Sequence, residues 1–220
     1  MASFFNLTLD TLAPEELTVT LNDGAEYTTS ATVTLKLTLA DEETAGYQMK
    51  IWGVNGINDE GTAEWETYTA QKSITLTPGD GLKTVSVKVR DDVGNESAAA
   101  TDTITLDTKV PTVTITGPDK PKISKVTGFN ISRFSFVVDV EFEEYKVCVV
   151  PQTSSAQDAG TVIPTTAGSS NTSGSDGNYE ASTKIDVVIN GTDLATASSG
   201  DGVKIVKVFV RTSSGLWSVA

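Results

Sequence analysis

Residues 80–95 read Asp80-Gly-Leu-Lys-Thr-Val-Ser-Val-Lys-Val-Arg-Asp-Asp-Val-Gly-Asn95. Val85, Val87 and Val89 alternate with Ser86, Lys88 and Arg90, the two-residue period of a strand buried on one face. Gly81 before the run and Asp91 to Asn95 after it are turn residues. The plan returns 121 residues later, where Asp201-Gly-Val-Lys204 leads into Val206, Val208, Val210 and Arg211. An alternating strand that recurs with its own entry turn predicts a β protein made of two like halves.

The neighbouring stretches keep the same period. Val33, Leu35, Leu37 and Leu39 alternate, as do Tyr47, Met49 and Ile51, then Ile74 and Leu76, and the chain from Thr101 to Asp107. About seven short strands in roughly 95 residues, punctuated by turns such as Asn22-Asp23-Gly24 and Pro78-Gly79-Asp80-Gly81, predict an antiparallel sandwich. The second half offers Val113 and Ile115, then Phe134, Phe136, Val138, Val140 and Phe142, then Ile185, Val187 and Ile189. Tyr145, Val147 and Val149 are matched to Tyr47, Met49 and Ile51. Helical periodicity is nearly absent.

A second repeat sets the boundaries. Leu7-Thr-Leu-Asp-Thr-Leu-Ala-Pro14 returns as Ile104-Thr-Leu-Asp-Thr-Lys-Val-Pro111, 97 residues on. The growth in spacing from 97 to 121 places an insertion in the second half, at residues 152–180, rich in Ser, Thr, Gly and Asn. Such a loop is either a binding loop or a mobile one. The expected fold class is all-β, with sandwiches at residues 12–107 and 110–220 behind an N-terminal strand at residues 1–11.

Composition narrows the partners. The 220 residues carry a formal net charge of −13, which repels nucleic acid and anionic membrane surfaces. Cys148 is the single cysteine, so no internal disulfide forms. Met1-Ala-Ser-Phe-Phe-Asn-Leu7 has neither a basic region nor a long apolar run, so neither a secretory signal nor membrane insertion is expected.

The run from Trp65-Glu-Thr-Tyr68 through Ile74-Thr-Leu76 to Gly81–Ser97, with its valine-rich strand entering an Asp-x-x-Gly-Asn loop, resembles bacterial Ig-like domains. The Asp-Thr-x-x-Pro junction resembles the linkers of their tandem arrays. The likeness is good over residues 10–107 and partial over 108–220, where Thr212-Ser-Ser-Gly215 stands in place of the acidic loop. Pairs of such domains without a signal peptide resemble virion proteins of tailed bacteriophages. The resemblance implies a structural protein made in the host cytoplasm and carried on the virion as a capsid decoration or tail/head accessory protein. Its partners would be other virion proteins and other copies of itself. The alternative is an adhesin-like module that binds host surface glycan.

Catalysis is not expected. The chain has no histidine, which removes imidazole bases and His–metal sites. Asp41, Glu42, Glu43, Asp91 and Asp92 are the densest acids, and they fall in loops read as exposed. In an Ig-like topology the loops of Asp41, Glu43, Asp91 and Asp92 lie at one pole beside Asp10, where five or six oxygens could hold Ca²⁺; the plainer reading is a solvated acidic tip. No other cofactor is expected. Trp52, Trp65, Tyr68, Tyr179 and Trp217 could stack on sugar, but Trp65 and Tyr68 are expected to cap the core edge and Trp217 to begin the last strand. Trp52, out of phase with its strand, is the candidate glycan contact. Cys148, also out of phase, is expected to be inert.

Aligning the halves by their valine-rich strands leaves the second sandwich without a counterpart of residues 100–107. Residues 3–10 match that missing strand at the 97-residue offset. Phe4, Phe5, Leu7 and Leu9 are therefore the candidate assembly residues, completing a second sandwich, most simply in a neighbouring subunit. The alternatives are closure within one chain, or that Phe4 and Phe5 pack on the first sandwich or anchor the chain to another virion component.

Overall fold

The computed structural model describes residues 5–41, 43–151, 154, 156–164, 172–174 and 177–219. The chain divides into two compact units, Met1–Thr108 and Lys109–Ala220.

In the first unit the described strands are β1 (Thr18–Leu21), β2 (Tyr27–Thr28), β3 (Thr32–Thr38), β4 (Gln48–Trp52), β5 (Glu66–Thr67), β6 (Gln71–Thr75), β7 (Gly81–Arg90) and β8 (Ala100–Leu106). They form two sheets, ordered β1-β3-β6 and β2-β8-β7-β4-β5. Neighbours pair antiparallel except β2 and β8, which run parallel. The alternation seen in the sequence decides which side chains meet. Val33, Leu35 and Leu37 of one sheet share a core with Met49, Ile51, Val85, Val87, Val89, Ile104 and Leu106 of the other. A three-stranded sheet packed on a larger one in this order is an Ig-like sandwich.

The two sheets are tied together just past β4. The Gly53 amide donates to the Ile57 carbonyl at 2.8 Å, and the Asn55 amide donates to Thr75 of β6 at 2.8 Å. Gly53 has φ +80° and lies so close to β7 that a Cβ there would stand 2.0 Å from the Thr84 carbonyl oxygen. Only glycine fits both the backbone angle and the gap.

The second unit contains β9 (Val113–Thr116), β10 (Ile131–Val138), β11 (Glu144–Val150), β12 (Thr161–Val162), β13 (Ser173–Gly174), β14 (Ile185–Asn190), α1 (Gly191–Ala197) and β15 (Ile205–Arg211). One sheet is ordered β14-β10-β9; in the other, β11 pairs with β12, β13 and β15. β15 pairs with β11 along its whole length. Among the described residues no strand lies on its other side. The core is aromatic: Phe136 meets Tyr145 edge-on at 5.2 Å, and Phe142 stacks on Tyr179 at 4.7 Å.

Four expectations change. Residues 152–180 are not one free loop, because β12 and β13 arise within them and pair with β11, and Tyr179 bridges Phe142. Trp217 does not begin a strand; it makes an isolated bridge to Arg211. Arg90 pairs with Gln48 and Arg211 with Glu144, so Tyr145 takes the place of Met49, not of Tyr47. The sequence reading also missed α1. Its N-cap is Asn190, whose side chain accepts from the Thr192 amide, and Leu194 and Ala197 pack on the core.

Candidate functional site

Asp10, Asp41, Asp91 and Asp92 all lie near Tyr47 at one end of the first sandwich. Burial raises the Tyr47 pKa, and these four carboxylates, with Asp41 foremost, raise it further. The loop after β7 is held by its own hydrogen bonds. Asp91 is only 5% exposed, contrary to the expected exposed acid. Its Oδ1 accepts from the amides of Val93 (3.0 Å) and Asn95 (2.8 Å), and its Oδ2 accepts from Asn95 Nδ2 at 2.7 Å. Burial works against the charge, but the hydrogen bonds from Asn95, Val93 and Gly94 together outweigh it and hold the carboxyl below its usual range. Asn95 also reaches the Asp10 carbonyl at 3.5 Å, fastening the entering chain to the loop.

Asp91 therefore works as the organiser of its own loop. Both its oxygens already serve N–H donors. Asp92 and Glu43 face solvent, and Glu42 lies outside the described residues. Among the described residues no three carboxylates converge as metal ligands. Asp41 keeps Oδ2 buried without a hydrogen-bond partner among the described residues, an arrangement that costs free energy.

The matching loop of the second unit uses neutral groups. Thr212 Oγ1 and Ser214 Oγ are 2.7 Å apart, and the Gly215 amide donates to the Thr212 carbonyl. The next residues coincide in detail. The Ser97 amide donates to Val89 at 2.8 Å while Ser97 Oγ accepts from Val89. Ser218 and Val210 repeat both bonds.

This difference gives a pH prediction. A carboxyl held low in the folded state stabilises it fully above the unfolded value, about 3.9, and loses that contribution as pH falls through the folded value. Asp91→Ala should cost the first unit about 2–3 kcal/mol at neutral pH, the cost of hydrogen bonds to a charged acceptor. Chemical denaturation followed at pH 7 and at pH 3 should show the gap between native and variant proteins narrowing in acid.

Two of the three tryptophans, Trp65 and Trp217, are used within the fold. Trp65 lies on the outer face of the β4–β7 pair, with the Arg90 guanidinium 4.4 Å and the Lys50 ammonium 4.9 Å from its ring centre. Trp217 holds the equivalent place in the second unit, 4.4 Å from Lys146 and 6.0 Å from Arg211. Trp52 is half-buried rather than exposed. Cys148 is fully buried beside Val150 and Phe209; burial raises its pKa, with Lys146 opposing, so the thiol stays protonated.

The N-terminal candidates behave differently. Phe5, Leu7 and Leu9 are 85%, 86% and 86% exposed, and Leu12 is also exposed. Residues 5–15 belong to no strand. Phe4 lies outside the described residues.

No family model and no curated protein matches the chain. Similar solved structures include the fibronectin(III)-like modules of Clostridium thermocellum CbhA, at 14% identity and TM-score 0.45 over 91% of this chain and 89% of that one. Chitinase ChiA74 from Bacillus thuringiensis follows at 13% identity and TM-score 0.31. The BSP domain of a biofilm-associated protein has 11% identity and TM-score 0.27. The chain covers 92% of itself but 30% of the chitinase, and 91% of itself but 28% of the biofilm protein. The Ig-like assignment stands on strand order and register, independently of these matches.

Proposed function

We propose that the chain is a non-catalytic structural module that attaches through residues 5–12. The observation that carries this is the run of exposed apolar side chains, Phe5, Leu7, Leu9 and Leu12, on an otherwise acidic protein. An exposed apolar cluster of this kind marks an interaction surface. Asp91 is engaged in holding its own loop, and Trp65 and Trp217 lie under cations on the sheet faces. The setting that the sequence resemblance implies is a bacteriophage particle, with the chain as a decoration or head/tail accessory protein.

Particle purification tests the reading. The chain should band with assembled particles in many copies, and Leu7→Asp with Leu9→Asp should release it while both sandwiches keep their far-ultraviolet dichroism. A chain that stays off the particles and binds host surface glycan saturably, with loss on Trp52→Ala, is an adhesin, and the proposal fails.

A further inference from the structure

We infer that residues 5–10 of one copy add, as an antiparallel strand, to the side of β15 in a second copy that no strand covers among the described residues. This rests on residues 5–12 being the attachment segment and names what they attach to.

The first unit supplies the template. There β8 covers β7 with Gly81 opposite Leu106, Lys83 opposite Ile104 and Val85 opposite Asp102. Ile104 and Leu106 turn inward and are buried. β15 is the counterpart of β7, fixed by the paired bonds of Ser97 with Val89 and of Ser218 with Val210. Residues 5–9 are the sequence counterpart of 102–106 in the Leu-Thr-Leu-Asp repeat. Transferring the register sets Leu9 opposite Gly202, Leu7 opposite Lys204 and Phe5 opposite Val206. Leu7 and Leu9 then take the inward places of Ile104 and Leu106.

Among the described residues the seat is open and apolar. Leu21 of β1 is fully buried, and its amide donates to Asp102 of β8 at 2.7 Å. In the second unit Ile115 holds the same inward place, paired with Phe136 as Leu21 is with Leu35, yet Ile115 is 45% exposed. Val206 is only partly buried, where Val85 is fully buried. The donor residue aimed at Ile115 is Phe5, standing where Asp102 stands in the first unit. A polar contact in one unit is matched by an apolar contact in the other.

The occupant is a second copy because one chain leaves its own Phe5, Leu7 and Leu9 in solvent. Donor and acceptor surfaces differ, so the contact is head-to-tail and builds a ring or a filament.

Two measurements test the inference on the full chain. Light scattering over a range of concentrations should give a mass at least twofold that of one chain, returning to one chain with Leu7→Asp and Leu9→Asp. Thr8 and Val203 fall opposite each other and face outward, like Thr105 and Leu82. Thr8→Cys combined with Val203→Cys should give covalent multimers on oxidation, while buried Cys148 does not compete. A monomer in scattering without cross-links overturns the inference, and so does a cross-link formed within one chain. If no multimer forms but Leu7→Asp with Leu9→Asp still strips the chain from particles, the attachment reading survives and its acceptor is another protein.

Discussion

Gly53→Ala should unfold the first sandwich at temperatures where the second is intact. Two costs coincide at this position. A residue with a Cβ loses about 1–2 kcal/mol in the left-handed region. The new methyl would also lie 2.0 Å from the Thr84 carbonyl oxygen, so strand β7 or the turn must move. Forcing atoms into a packed site costs about 1–3 kcal/mol. Movement is not confined to the turn, because Asn55 bonds to Thr75 across the sandwich. A total of about 3 kcal/mol or more would lower the melting point of a unit of this size by about 12 °C or more. Calorimetry should show one transition shifted and the other unmoved. Coincident transitions that shift together would mean the units unfold as one, and an unshifted scan would mean the Gly53 geometry is wrong.

Phe136→Ala should do the converse and strike the second sandwich. Phe136 is almost wholly buried and touches the rings of Tyr145 and Phe142. Truncating a buried phenylalanine costs about 3–5 kcal/mol, through lost burial and the cavity left behind. Against a typical total of about 5–15 kcal/mol, that is enough to leave the unit partly unfolded near physiological temperature. The first unit shares none of these contacts within its own core. Near-ultraviolet dichroism from the tyrosines should weaken while the first transition stays in place. A loss under 1 kcal/mol would mean that the aromatic cluster closes over the gap.

The valine-rich strands were legible because their two-residue period and turn residues agree on one answer. The 121-residue match was also legible, and the paired bonds of Ser97 and Ser218 reproduce it in space. The slip between Tyr47 and Tyr145 has a physical cause. Shifting a strand by two residues keeps every side chain on its face, so alternation cannot detect the error; only the pairing of Arg90 with Gln48 and Arg211 with Glu144 fixes it. Helix α1 was missed because seven residues are too short to show a period, although the Asn190 cap before Thr192 and Asp193 was a readable start signal. Asp91 was misread because a charge in a loop suggests solvent. The glycine and asparagine that follow it turn two amides and an Asn95 side chain back onto the carboxylate. The cations over Trp65 and Trp217 come from equivalent strand positions, but the rings arrive from different parts of the chain, which no alignment of the halves would reveal.

The parallel pair β2–β8 bears on how the first unit meets mechanical load. Thr105 and Asp107 donate to Glu26 and Thr28, both at 2.9 Å. β2 is reached soon after the chain enters the unit, and β8 is the last strand before it leaves. Tension across the unit pulls these two strands in opposite directions along their shared axis. Both bonds are then strained together instead of opening one after the other. This small parallel clasp would act as a shear latch, guarding the rest of the sandwich against force drawn through the chain.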